Sequence, residues 1–383
     1  MEDWRNVGFG LYVHWPFCTS KCPYCDFNSH VAQEIDSARW QAAYLRELDR
    51  VGARTEGRVL NSIFFGGGTP SLMKPELVGS IIAKATDIWR PANDLEVTLE
   101  ANPGSVEARR FRGYAEAGVN RVSLGIQALD DHDLRRLGRM HSVSEALAAI
   151  EVAQSSFSRV SIDLIYARQE QTLDAWSQEL ERAISLGTEH LSLYQLTIEE
   201  NTVFAERFAK GLLSGLPSDD LSADLYEMTG VACEAAGLMG YEVSNHARTG
   251  AEARHNLIYW RMGDYAGVGP GAHGRLTLSG QRWATEARRA PADWIEAVGS
   301  GGGDLPWQML SGADQATEYI LMALRLKEGA SLSRFHGLAG KPVDEERLCG
   351  LIDLGLMDSV GDRMVATPRG RLLLNSILET LAP

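Results

Sequence analysis

The stretch Tyr12-Val13-His14-Trp15-Pro16-Phe17-Cys18-Thr19-Ser20-Lys21-Cys22-Pro23-Tyr24-Cys25-Asp26-Phe27 decides how the rest of this chain is read. A β-prone run, Phe9–His14, leads into a loop that holds three of the five cysteines within eight residues. Thiols clustered at Cys-x3-Cys-x2-Cys spacing point to metal ligation. Three thiolates can serve three irons of a [4Fe–4S] cubane and leave the fourth iron without a protein ligand. The spacing alone also allows zinc, with His14 or His30 as fourth ligand, or a disulfide, which a reducing compartment disfavours. Position separates these readings. The cysteine loop follows a first strand, and a glycine loop, Gly66-Gly67-Gly68-Thr69-Pro70, follows a second, which favours the cluster. Cys233 and Cys349 stand alone in apolar helical patterns and read as buried packing residues.

Outward from that loop, β-prone runs alternate with helical patterns. The runs are Phe9–His14, Asn61–Phe65, Leu95–Glu100, Asn120–Ile126, Arg159–Ile165 and His190–Leu196. Helical periodicity lies near 36–53, 74–89, 105–117, 142–155 and 172–186, with Ser105 and Ser218 as candidate caps. Strand–helix alternation builds parallel sheet. The unusual residues fall at the C-terminal ends of several runs, which is how a barrel-mouth site is assembled. The expected fold is α/β, a partial (β/α)6 TIM-like barrel over 1–240. A barrel-closing segment over 241–305 follows, with a loose linker at 300–303. A small C-terminal winged-helix-like α+β domain occupies 306–383.

Composition narrows the function. The 383 residues are 44% hydrophobic and 23% charged, with a net charge of −14. A chain that tracks a phosphate backbone needs a basic face, so no nucleic-acid partner is expected. Even the winged-helix-like region carries eight Lys and Arg against ten Asp and Glu, a net of −2, which suits a docking or lid module. There is no secretory signal pattern and no transmembrane segment of about 18–20 apolar residues, so a cytoplasmic location is expected. Gly66–Pro70 lacks the Lys-Ser/Thr of a P-loop. Gly269-Pro270-Gly271-Ala272-His273-Gly274 spells GxGxxG but has Pro270 inside the would-be turn. It is expected to close the barrel mouth, not to bind a dinucleotide.

The cysteine motif and the GGGTP loop resemble those of the radical S-adenosylmethionine (SAM) superfamily. The wider chain resembles its HemN-like branch of oxygen-independent coproporphyrinogen III oxidases, and within it the heme chaperone (HemW) family. That resemblance implies a [4Fe–4S] cluster on Cys18, Cys22 and Cys25. It implies SAM contacts from Tyr12, Tyr24, Gly67, Gly68, Thr69, Glu100, Gln127, Arg139 and Asp163. His255-Asn256-Leu257-Ile258-Tyr259-Trp260 resembles the HNxxYW motif associated with heme, which implies His255 as heme ligand and Tyr259 as second candidate. Arg248, Arg254 and Arg261 are candidates for the propionates. The implied function is a chaperone that binds heme and passes it to an acceptor apo-hemoprotein. An electron donor joins the partners if radical chemistry occurs. The alternative is the oxidase, which decarboxylates propionates with a SAM-derived radical. The oxidases carry a further cysteine two places after the third, and here that place is Phe27. Anaerobically prepared protein is expected to contain iron and sulfide in place of zinc, with a Mössbauer spectrum that changes when SAM is added.

Overall fold

The structure, a computed structural model, describes residues 4–32, 34–104 and 108–382. The six β-prone runs become strands β1 (Phe9–Trp15), β2 (Val59–Gly67), β3 (Arg90–Ala101), β4 (Arg121–Gln127), β5 (Arg159–Tyr166) and β6 (His190–Gln195). Each pairs in parallel with the next. Between them run α1 (Ser37–Gly52), α2 (Pro75–Ile88), α3 (Phe111–Glu116), α4 (Val143–Ser156) and α5 (Leu173–Ser185). The helix starts are written locally. Asp36 accepts from Arg39 N–H, Ser142 and Glu145 form a capping box, and Thr172 accepts from Ala175 N–H. The Ser105 cap lies outside the described residues. Helix α6 (Val203–Ala209) follows β6, and α7 (Asp219–Ala235) starts at Ser218, whose hydroxyl accepts from Leu221 N–H.

Strand β1 shows why the sheet curls around a lumen. Alternate residues Phe9, Leu11, Val13 and Trp15 join the main apolar core. The Trp15 ring meets Trp40 of α1 at 5.8 Å. Gly10, Tyr12 and His14 take the opposite face, as the period-2 geometry of a strand requires, and line the inside. A core aromatic of this kind stabilises the fold by about 1.5–3 kcal/mol through burial.

The segment after residue 240 differs from expectation. Helix α8 (Arg254–Trp260) packs on β2 and β1 at their N-terminal ends. Strand β7 (Asp264–Val268) then adds in parallel to the outer edge of β1, a seventh parallel strand. The hairpin β8 (His273–Leu278) and β9 (Gln281–Glu286) continues that edge antiparallel. At the other edge, Asn245–Ala247 adds antiparallel to β6, and Met239–Gly240 adds antiparallel to Asn245–Ala247. The 241–305 segment therefore widens both edges of an open sheet instead of joining them. Residues 300–303 are not a loose linker. They end α9 (Pro291–Ser300), where Gly303 N–H donates to Glu47 of α1 and a Cβ on Gly303 would lie 2.2 Å from the Trp294 indole nitrogen.

The C-terminal module keeps its own core around Tyr319, Ile320, Phe335, Met357, Met364 and Ile377. Helices α10 (Gly312–Ala323), α11 (Leu332–Ala339) and α12 (Glu345–Asp353) precede the hairpin β10 (Met357–Val360) and β11 (Arg363–Ala366), and α13 (Leu374–Leu381) closes it. Cys233 is buried as expected. Cys349 is exposed, because α12 turns it away from Leu348 and Leu351, which face the core. No helix among the described residues is long and apolar enough to cross a membrane.

Asp264 ties the added edge to the barrel. It is fully buried, 2.7 Å from Arg58 and 2.9 Å from Arg282, and accepts from the Thr277 hydroxyl. Asp264→Ala leaves two guanidinium groups without their buried anion. It is expected to lower the unfolding free energy by about 3–5 kcal/mol, read as a shift in the urea midpoint.

Candidate functional site

The first two strands do not stop pairing where they end. Gly68 N–H donates to Trp15 O at 2.7 Å and Thr69 N–H to Phe17 O at 2.8 Å, so the glycine loop is laced to the start of the cysteine loop. Side chains cannot enter that seam. A Cβ on Gly68 would lie 2.7 Å from Phe17 O, and Gly67 has φ +109°, which favours glycine. Across the seam the cysteine loop is closed by Phe17–Cys18 pairing with His30–Val31. Cys18, Cys22 and Cys25 then face one cavity of about 590 Å³ at the C-terminal ends of the strands.

A hydrogen-bonded arc joins two of the three sulfurs. Thr69 Oγ1 donates to Cys18 Sγ at 3.2 Å, and Arg139 Nη1 donates to Cys22 Sγ at 3.4 Å. Between them Asn102 accepts from Arg139 Nη2 at 2.6 Å and reaches Thr69 Oγ1 at 3.5 Å. Arg139 also donates to Gly125 O, while its buried Nε–H has no partner among the described residues. Burial pushes the Cys18 and Cys25 thiols up. A bound cation overrides that cost by binding the thiolate directly. Three unbridged thiols on one cavity, with donors already aimed at two of them, fit a thiolate-ligated cluster with one open metal position.

The cavity floor is acidic. Glu100 at the end of β3 and Asp163 on β5 are both half-buried on the cavity wall, and Ser123 donates to Asp163 at 2.9 Å. Burial, and then the Asp163 charge, push the Glu100 carboxyl up to about 8, against the Gly67 N–H and Arg121, which pull it down. Asp163 is raised by burial. Gln127 ends β4 at a register shift with φ +70°, an irregularity that re-aims its amide into the cavity.

Of the residues the resemblance implied, Cys18, Cys22, Cys25, Tyr24, Gly67, Gly68, Thr69, Glu100, Gln127, Arg139 and Asp163 line this one cavity. Three do not. Tyr12 lies beneath the glycine loop, with its hydroxyl 3.0 Å from His14 Nδ1. His255 and Tyr259 sit at the opposite, N-terminal end of the lumen, where α8 forms a plug. His255 Nδ1 meets Ser62 Oγ at 2.8 Å and Nε2 meets Tyr259 OH at 2.6 Å, so both ring nitrogens are taken. Its ring stacks on Phe64 at 5.0 Å, and burial lowers its pKa to about 3. In this arrangement His255 and Tyr259 are engaged with each other, and His255 with Ser62. The arginines are not gathered for propionates: Arg254 pairs with Asp94, Arg261 with Glu328, and Arg248 is exposed away from the cavity. Sequence reasoning missed Asn102, Ser123, Met140 and Tyr194. Asn102 and Tyr194 fall at the ends of β3 and β6, and that position was the one available signal.

The chain matches the Radical SAM superfamily model over residues 12–183. It is 38% identical over 375 residues to the heme chaperone HemW of Escherichia coli, covering 96% of this chain and 97% of that protein. It is 37% identical to the mitochondrial radical S-adenosyl methionine domain-containing protein 1 of Mus musculus, covering 97% and 87%. The solved coproporphyrinogen III oxidase HemN of Escherichia coli superposes with a TM-score of 0.82 over 98% of this chain and 90% of that one. At 21% identity, it shows a shared fold.

The Glu100 carboxyl keeps its proton up to about pH 8 when folded, but only to its ordinary value of 4.5 when unfolded. Its contribution to stability is therefore full below 4.5 and lost as pH rises through about 8. Glu100→Gln is expected to flatten that loss, seen by comparing urea midpoints of the metal-free proteins across this window.

Proposed function

We infer the function from a membership: this chain belongs to the HemW heme chaperone family of the radical SAM superfamily. It binds heme and passes it to an acceptor hemoprotein, with a [4Fe–4S] cluster and SAM as its cofactors. Cys18, Cys22 and Cys25 are the proposed cluster ligands. When bound, the cluster offers one open iron for the amino and carboxylate groups of SAM and one electron to its sulfonium. The remaining roles belong to side chains. Arg139 has an Nε–H without a partner among the described residues, available for a carboxylate. The Gly68 and Thr69 N–H groups are spent on the cysteine loop, so the glycine loop offers carbonyls, acceptors for an amino group. Glu100, Gln127 and Asp163 supply acceptors for the amino and ribose groups. An external electron donor enters only with cluster reduction.

The observation that carries the heme reading is the change of chemistry along one cavity. Much of its wall is polar, but its lining also exposes Phe27 (56%) and Met140 (84%) to solvent. A flat macrocycle needs such an apolar platform, and a thioether is an accepted heme ligand. Phe27 also stands where the oxidases have a further cysteine, which favours the chaperone over the oxidase.

Hemin titration of the reconstituted protein should give a Soret band, and added apomyoglobin should take up the heme. The double variant Phe27→Ser/Met140→Ser should bind hemin roughly 10-fold or more weakly, from the loss of apolar contact. His255→Ala should lower stability and leave the Soret band unchanged. Formation of protoporphyrinogen from coproporphyrinogen III with SAM and dithionite would overturn the chaperone reading.

A further inference from the structure

The cavity accounts for the thiols but not for what holds their loop in place. The loop runs from Cys18 to Cys25, and the glycine seam fixes only its first end. Beyond its far end stands Asn28, which does not line the cavity. Its side-chain amide donates to Pro270 O and to Arg289 O, both at 2.9 Å, and its Oδ1 lies 3.3 Å from His30 Nε2. Its backbone carbonyl lies 2.9 Å from His14 Nε2. A carbonyl only accepts, so the His14 proton is on Nε2, and Nδ1 accepts from the Tyr12 hydroxyl. Both amide hydrogens of Asn28 are thus committed to carbonyls of a distant part of the chain.

The surroundings are shaped to this pair. Three glycines with positive φ press on it: Gly67 (+109°), Gly269 (+115°) and Gly271 (+76°). A Cβ on Gly67 would lie 2.5 Å from the His14 ring, one on Gly269 2.3 Å from His14 O, and one on Gly271 2.5 Å from Asn28 Nδ2. The socket is itself braced. Gly271 N–H donates to Arg288 O and Ala287 N–H to Ala272 O. Gly269 and Gly271 of the sequence that spells a dinucleotide motif therefore serve a different purpose: they let the His14 carbonyl and the Asn28 amide sit against backbone.

We propose that Asn28 is a positioning residue, a latch that clamps the cysteine loop to the 269–271 turn and so sets the cradle of sulfurs offered to the cluster. It acts through contact. Asn28 holds His14, His14 fills the space under Gly67, and the adjoining Thr69 donates to Cys18. Partners that orient ligands without touching the metal are what fix a metal site's geometry and affinity.

This inference rests on the reading that Cys18, Cys22 and Cys25 hold a cluster, and the test separates the two. The full chain is reconstituted anaerobically as wild type, Asn28→Asp and Gly271→Ala. The aspartate keeps the shape and the acceptor for His30 but turns the donating end toward two carbonyls as an acceptor. The alanine pushes on the same amide from the other side without altering the cysteine loop. Both variants should keep the wild-type circular dichroism, lose iron to a chelator roughly 10-fold faster, and show altered EPR g-values with a diminished response to SAM. Asn28→Gln, which retains the amide, should recover part of the g-value change. If either Asp or Ala variant fails to fold, Asn28→Ser, which deletes the donors without adding charge, carries the same comparison. Wild-type chelator kinetics and g-values in the folded variants would overturn the latch. Failure of the wild type to take up iron and sulfide would instead overturn the cluster reading.

Discussion

The site depends on two backbone hydrogen bonds made past the end of a sheet, Gly68 N–H to Trp15 O and Thr69 N–H to Phe17 O. They extend the pairing of β1 and β2 into the loops and so carry the cysteine loop across the mouth of the lumen. Everything that meets the sulfurs is placed from this seam. Thr69 can donate to Cys18 because its own N–H is held by Phe17. Asn102, just past β3, and Arg139, after the short helix Asp131–Arg136 that follows β4, extend the contact to Cys22. A loop holding three thiols has little regular structure of its own, so its order is borrowed from neighbouring strands.

The lumen below has two ends with opposite purposes. At the C-terminal end, burial and the Asp163 charge raise the cost of ionising Glu100, with Arg121 pulling the other way, and burial raises Asp163 as well. At the N-terminal end, α8 closes the lumen with a satisfied polar group: His255 between Ser62 and Tyr259, over the Phe64 ring. Buried imidazole with both nitrogens occupied is inexpensive in place and costly to extract. In this arrangement the His255–Tyr259 pair packs as part of the closure.

The six parallel strands and their helices were legible because most runs carry local signals: β-prone apolar residues in the strands, and capping residues such as Ser142 and Thr172 at helix starts. The three cysteines and the glycine loop were legible because their chemistry is local and their order along the chain matches the order of the strands. Strand β7 was not, since Asp264 at its start looks like a surface residue until Arg58 and Arg282, 206 and 18 residues away in sequence, are brought against it. The glycines at 300–303 looked like a flexible linker for a related reason. Their purpose is the space taken by Trp294 and the side chains of α1, which no local pattern shows.

The sequence by itself determined the strand–helix rhythm, the thiol cluster and the glycine loop, because these follow from residue type and short-range spacing. Only the tertiary structure decided which end of the lumen each functional side chain occupies. His255 and Glu100 both belong to the lumen, yet one is a locked plug and the other a cavity wall. The reason is that burial and hydrogen-bond partners come from distant strands, and they set whether a side chain is spent on the fold or left available for a ligand.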